Sequence, residues 1–290
     1  MKYYLYNSKS NNGIRPEIGG SIELIDAVGI DYPAFLAGLA EEDEVVLIGG
    51  DGTLNYFVNH TKDCDIKNNI YLLGSGTGND FFTDIGKKAG EEVRVNEYIK
   101  NLPTVRVNGL EQLFINNMGF GIDGYCCEVA DKIKEKTPNK KINYTAIAIK
   151  GLLFFFKPCH ATVEVDGNTF EYDNVWIAPT MKGRFYGGGM MMAPRQDRNS
   201  DKVTVVVYMS KSKIKALKEF PSIFKGEHIN KTDMVKIHTG NHIHVKFSRP
   251  CSAQIDGETV LNVSEYFVDL WDNVKKPVPK GTGFFVCYFG

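Results

Sequence analysis

Apolar and polar positions change rhythm along this chain of 290 residues, and the change divides it. In the first third, short apolar runs end at glycine-rich turns and give way to segments of helical spacing. KYYLYN (Lys2–Asn7), EVVLI (Glu44–Ile48) and NIYLL (Asn69–Leu73) have the length and content of sheet strands, the second resembling a buried parallel one. GGDGT follows Ile48 and leads into a helix from Thr53 to about His60; GSGTGNDF follows Leu73, and Asp80 opens another helical stretch. Strand, glycine turn, helix, repeated, predicts α/β units.

From about Thr104 the strands dominate. TVRVN and LFINNMGF flank Asn108-Gly109, a hairpin signal. Helices are predicted at Ile122–Lys136, from about Ile142 to Phe156, and near Lys213–Phe224. ATVEVDG, NVWIAP, KVTVVVYM, MVKIHT, HIHVKFS and SAQID read as strands whose spacing suits a β-sandwich. The expected fold is therefore α/β plus all-β: an N-terminal α/β domain over residues 1–110, then a β-sandwich domain over 111–273. A tail from about 274 to 290 is expected to pack back on the first domain. The run KGLLFFFKP (Lys150–Pro158) is expected to be a buried helix under the sandwich. A membrane-contacting patch with flanking lysines is the weaker reading.

Composition narrows the class. The chain is 43% hydrophobic and 24% charged, enough for one large or two modest cores. A net charge of −1 and a pI near 6.6 give no global basic field for nucleic acid. Six cysteines include no C-x-x-C pair and suggest neither a zinc site nor a disulfide framework, which points to a reduced, cytoplasmic setting. MKYYLYNSKS lacks the apolar core of a signal peptide, and no run reaches transmembrane length. The expectation is a cytoplasmic protein, peripheral to a membrane at most.

The glycine turns carry the candidate chemistry. Gly49, Gly50 and Gly52 in the first, and Gly74, Gly76 and Gly78 in the second, would let backbone N–H groups approach phosphate oxygens beside a helix N-terminus. Asp51 sits among glycines, where a carboxylate facing a triphosphate calls for a divalent cation between them, as magnesium provides. Thr53, Asn55, Thr77 and Asn79 offer polar side chains. A bare turn with a capping aspartate explains either motif alone; two of them, each after an apolar strand, favour a nucleotide. Neither is a Walker A loop, because no G-K-[ST] follows.

GGDGTLN (Gly49–Asn55) and GSGTGNDF (Gly74–Phe81) resemble the paired signatures of the diacylglycerol kinase catalytic domain family, the lipid kinases that include sphingosine kinases and bacterial diacylglycerol kinases. NAD kinases and phosphofructokinases share only the first. FYGGGMMMAP (Phe185–Pro194) is similar to that family's glycine-rich hairpin, and QIDGE (Gln254–Glu258) to its closing D-G-E. The resemblance implies an α/β nucleotide domain before a β-sandwich, ATP and Mg as cofactors, and transfer of a γ-phosphoryl group to a lipid hydroxyl, with diacylglycerol giving phosphatidic acid. It implies nucleotide contacts from Asn7, Ser10, Gly49, Gly50, Asp51, Gly52, Thr53, Asn55, Gly76, Thr77, Gly78 and Asn79. Asp51 and Asp80 would hold the metal, and Asp256 or Glu258 would be the catalytic base, the two roles left open. The implied partner is a lipid at a membrane surface; no nucleic acid and no transmembrane segment are expected, and a homodimer stays open.

Three departures from the family pattern stand out. The segment before GGDGT looks short, Arg106 occupies a place where relatives carry an aspartate, and RQDRNSDKV replaces the D-D-G thought to hold a structural magnesium, leaving Asp197 and Asp201 only loosely aligned. Two alternatives follow: an NAD kinase, against which FINNMGF lacks the expected Asn-Glu pair, and a nucleotide-binding regulator without catalysis. Asp166-Gly167 in VEVDGN shows how easily D-G alone means only a hairpin turn.

Overall fold

The computed structural model describes residues 1–9, 24–75, 79–137 and 142–270. Five described strands form the first sheet: β1 (Lys2–Tyr6), β2 (Leu24–Asp26), β3 (Glu44–Gly49), β4 (Asn69–Gly74) and β5 (Glu92–Arg94), in the order β2-β1-β3-β4-β5. All neighbours run parallel except the β4–β5 pair. Val45, Val46 and Leu47 of β3 are fully buried, the pattern of a strand covered on both faces. Around this sheet lie helices α1 (Tyr32–Ala37), α2 (Asp51–His60), α3 (Asp80–Asp84) and α4 (Asn96–Ile99). The apolar side of α2, Leu54, Phe57 and Val58, shares one core with Leu5, Leu47, Leu72 and Phe81. The strand order reverses between β1 and β3, and ligands of open α/β sheets sit in the crevice at such a switch point, outside the carboxyl ends of the strands. Asn7 follows β1 there, and Gly49-Gly50 end β3.

The second sheet has ten described strands: β6 (Thr104–Val107), β7 (Leu110–Leu113), β8 (Asn117–Phe120), β9 (Cys159–Val165), β10 (Asn168–Ile177), β11 (Thr180–Met181), β14 (Val203–Met209), β15 (Val235–Gly240), β16 (His242–Ile255) and β17 (Glu258–Asp269). A separate hairpin joins β12 (Phe185–Tyr186) to β13 (Met190–Met191). The sheet closes on itself through β16, whose first half pairs with β9 and whose last residues pair with β8. Register shifts between Lys246 and Ala253 let one strand serve both, and Pro250 in that stretch lacks the N–H a regular ladder would need. Val163, Val205, Val245, Ala253 and Tyr266 form the interior.

The chain enters this sheet at Thr104, before the expected division at residue 110. Asn108-Gly109 makes the hairpin, with φ of 49° and 80°, and β6 then pairs with β17. Leu113 and Ile115 still pack on the first core, so the junction is spread over several residues. The expected tail from 274 lies outside the described residues.

Against the outer face lie α5 (Ile122–Lys136), α6 (Tyr144–Lys150) and α7 (Lys213–Glu219). After α6 the chain widens into a π-helical turn over Gly151–Phe155, closed by the Phe156 N–H donating to the Gly151 carbonyl at 2.8 Å. Leu152 and Phe156 turn inward, whereas Phe154 and Phe155 stay 71% and 65% exposed. The expectation of a buried helix fails here. An apolar run cannot reveal that a π turn shifts the phase by which its side chains face the core.

Candidate active site

The first glycine turn starts α2 at Asp51, two residues before the expected start, with Gly50 as the N-cap in extended backbone. The Asp51 carboxylate therefore lies in the first helical turn, where the helix dipole favours negative charge. Gly49 is required by close approach: a Cβ there would stand 1.9 Å from Thr53 Oγ1. Gly52 faces open space and is exposed, so its backbone is accessible from outside.

Both oxygens of Asp51 face the second turn. One accepts from the Asp80 N–H at 2.9 Å and the other from the Phe81 N–H at 3.2 Å, so α3 is capped by a side chain from the preceding glycine motif. Asp80 repeats the device on the next element. It accepts from the N–H groups of Gly188 and Gly189, at 2.9 and 2.7 Å, in the tight turn of the β12–β13 hairpin. Gly187, Gly188 and Gly189 all have positive φ, which explains why three glycines occur in succession. Asn79 precedes α3 as its N-cap, and its carbonyl accepts from Thr83. Asn7 lies beside β1 and accepts from the Lys9 N–H at 2.8 Å. Ser10, Gly76, Thr77 and Gly78 lie outside the described residues.

The D-G-E turn reaches this assembly from the far end of the chain. Asp256 has φ of 46° and Gly257 φ of 96°, the left-handed geometry of a two-residue hairpin between β16 and β17. Four donors converge on the Asp256 carboxylate: the N–H groups of Ile115, Asn116 and Asn117 at 2.6, 2.8 and 2.9 Å, and Asn55 Nδ2 at 2.7 Å. Asp256 is thus a clamp between α2 and the start of β8. Glu258, two residues on, is exposed, and its carboxylate has no hydrogen-bond or ion-pair partner among the described residues. The pair left open by sequence separates into an anchor and an available carboxylate.

Burial and the nearby carboxylates of Asp80 and Asp256 push the Asp51 carboxyl up to about 7. Burial also raises Asp80 and Asp256, opposed in each by the amides they accept from. Such a set of acids is relieved by a cation. Among the described residues no three His, Cys, Asp or Glu side chains close around a metal. Magnesium held mainly by phosphate and water needs only one or two protein carboxylates beside it, a demand that Asp51 and Asp80 have the chemistry to meet.

Sequence reasoning missed a second ionic cluster. Asp84, at the end of α3, accepts from Arg184 Nε at 2.7 Å and Arg198 Nε at 2.6 Å. Arg198 also donates to Asn116 Oδ1 at 2.7 Å and covers the Phe81 ring at 4.8 Å. The available signal was Asp80 and Asp84 at i and i+4, on one face of a helix. In the RQDRNSD loop, the buried Lys182 ammonium donates to the Ser200 carbonyl at 2.8 Å, and burial with the Arg198 charge lowers its pKa to about 8. A cationic side chain thus occupies the neighbourhood where a structural magnesium was doubted. Arg106 pairs with Asp269 at 2.7 Å within its own sheet. A cavity of about 390 Å³ opens between Tyr98, Lys182 and Arg198, but none of the glycine-turn residues lines it.

Glycine motifs after the parallel strands β3 and β4, tied to a second sheet that brings an exposed carboxylate, are an arrangement that suits a kinase-type phosphotransferase. The diacylglycerol kinase catalytic domain family matches residues 28–106, and the YegS C-terminal NAD kinase beta sandwich-like domain family matches residues 116–268. The chain belongs to the YegS C-terminal NAD kinase beta sandwich-like domain family, and its N-terminal part matches the diacylglycerol kinase catalytic domain. It is 27% identical over 235 residues to a diacylglycerol kinase of Mycobacterium tuberculosis, covering 78% of this chain and 74% of that one. It is 27% identical over 254 residues to a diacylglycerol kinase of Bacillus subtilis, covering 84% and 80%. A crystal structure of a diacylglycerol kinase from Bacillus anthracis matches the fold with a TM-score of 0.63 at 18% identity, over 93% of both chains.

Proposed function

We propose that the protein transfers the γ-phosphoryl group of ATP to the hydroxyl of a lipid, diacylglycerol giving phosphatidic acid, and that Glu258 is the general base. The observation that carries this reading is the 2.7 Å hydrogen bond between Asn55 and Asp256. It ties the D-G-E turn to the glycine-motif helix across 201 positions of sequence. Backbone N–H groups around Gly50, Gly52 and the second turn hold the phosphates, helped by the N-terminus of α2. Asp51 and Asp80 would hold magnesium, which when bound would supply positive charge against the phosphates. Glu258 takes the proton of the acceptor hydroxyl while that oxygen bonds to the γ-phosphorus and the bond to the ADP oxygen breaks. Asp256 acts as a positioning residue, because its oxygens are engaged by four donors. No described helix is long and apolar enough to cross a membrane.

The reading is tested by following radiolabelled phosphate from Mg-ATP into a panel of diacylglycerol, monoacylglycerol, sphingosine, ceramide and NAD. Incorporation into diacylglycerol is expected. Label in NAD alone would replace the reading with NAD kinase activity, and label in none would support a regulator without catalysis.

A further inference from the structure

The two exposed phenylalanines are not isolated. Lys213 Nζ on α7 donates to the Leu153 carbonyl at 2.9 Å, which brings α7 alongside the π turn. Ile214, the next residue, is 78% exposed, the highest value among the large apolar side chains after Met1. Phe154, Phe155 and Ile214 are therefore exposed on two adjacent elements. Three such side chains together are an expense a soluble surface avoids unless something covers them.

The charges near them that lack an ion-pair partner among the described residues include four lysines. Lys150 and Lys157 bracket the phenylalanines in sequence. Lys218 lies four residues after Ile214 on α7, a spacing that shares a side of the helix, and Lys211 lies just before the helix begins. These four lysines are without ion-pair partners among the described residues, while nearby Glu219 and Asp233 are each held by another lysine, at 3.6 and 2.6 Å. A chain with net charge −1 thus concentrates free positive charge around its exposed apolar side chains. Phenylalanines projecting beyond a lysine rim match a layer of anionic headgroups over acyl chains.

The inward side of this turn shares a core with the site. Leu152 and Phe156, the inward residues of the turn, share one apolar cluster with Tyr186 and Met192, and Met190 packs against it. These belong to the glycine hairpin whose amides hold Asp80. We propose that the face carrying Phe154, Phe155 and Ile214 inserts into an anionic phospholipid surface, with the lysine rim on the headgroups, and so presents the hairpin side of the site to lipid. The assignment rests on the reading of this protein as a lipid kinase.

The test is sedimentation of the full chain with vesicles of phosphatidylglycerol and phosphatidylcholine, alongside phosphorylation of a short-chain diacylglycerol dispersed without vesicles. The Phe154→Ser/Phe155→Ser variant should bind vesicles at least about tenfold more weakly, since both rings lose their insertion. Its unfolding midpoint and its turnover of the dispersed substrate should match wild type. Lys211→Glu/Lys218→Glu should weaken binding to the anionic vesicles by roughly fivefold per lysine and leave pure phosphatidylcholine unaffected. Unchanged vesicle binding by the phenylalanine variant overturns the proposal, as does wild type that stays in the supernatant. Loss of a dimer in that variant, with vesicle binding intact, would assign the face to a second copy instead. Wild type that binds vesicles through the pair but phosphorylates no dispersed lipid keeps the docking face and removes the kinase reading.

Discussion

The chain contains two Asp-Gly hairpin turns with nearly the same backbone. Asp166 and Gly167 have φ of 49° and 82°; Asp256 and Gly257 have 46° and 96°. Each aspartate uses its carboxylate to hold backbone N–H groups from elsewhere. Asp166 accepts from Asn241 and His242 at 3.0 and 2.8 Å, both on the exposed rim of its own sheet. Asp256 accepts from Ile115, Asn116, Asn117 and the Asn55 side chain at the junction with the nucleotide helix. Two residues after the aspartate the turns diverge: Asn168 in one, Glu258 in the other. Local conformation is therefore shared, and the two turns differ in where they are delivered and in the side chain that follows. In both, the aspartate is the structural member.

The comparison can be broken by parallel substitutions. The largest effect on folding is expected from Asp256→Ala, which orphans four donors at a partly buried junction and should cost about 3 kcal/mol or more. Asp166→Ala leaves its two donors to water and should cost about 1 kcal/mol or less; urea unfolding of both variants measures the difference. Equal losses would mean that the junction clamp has no special weight.

The two glycines of the first turn give the next contrast. Gly49→Ala drives a Cβ into Thr53 and should destabilise the protein by about 1–3 kcal/mol. Gly52→Ala enters open space, so the unfolding midpoint should hold while ATP affinity falls. Calorimetric titration with ATP reads the second effect. Unchanged affinity in Gly52→Ala would remove the exposed backbone of this turn from the phosphate site.

A smaller effect concerns pH. The Asp51 carboxyl stands at about 7 in the folded protein, above the unfolded value near 4. Between those values the folded state binds the extra proton, so stability falls as pH rises through this window. The contribution is fully present below about pH 4 and lost above about pH 7. Thermal unfolding without nucleotide or metal should show this decline in wild type and a flatter profile in Asp51→Asn. Stabilisation by Mg-ATP should grow over the same range, as the cation meets an ionised carboxylate. A wild-type profile as flat as the variant's would contradict the crowding of acids around Asp51.

Much of this was legible in sequence because the signals are local. A strand ending at glycine and a helix opening on aspartate can be read within ten residues, and both turns fell where β3 and β4 end. The role of Asp256 could not be read in this way, since its partners lie 139 to 201 positions away and its turn is indistinguishable locally from Asp166-Gly167. Asp84 with Arg184 and Arg198 was hidden for the same reason, three charges brought together by tertiary structure. The exposed Phe154 and Phe155 were misjudged because hydrophobicity predicts burial until a π turn changes which residues face inward.

In the proposed mechanism the D-G-E turn divides its labour, with Asp256 holding the turn in place and Glu258 receiving the proton. The direct test is turnover of Glu258→Gln at saturating Mg-ATP and diacylglycerol, with ATP affinity and unfolding midpoint measured on the same preparation. A fall in kcat of roughly 10²–10⁴-fold is expected with affinity and stability unchanged, as for a lost general base at an exposed position. Turnover at the wild-type rate would contradict it.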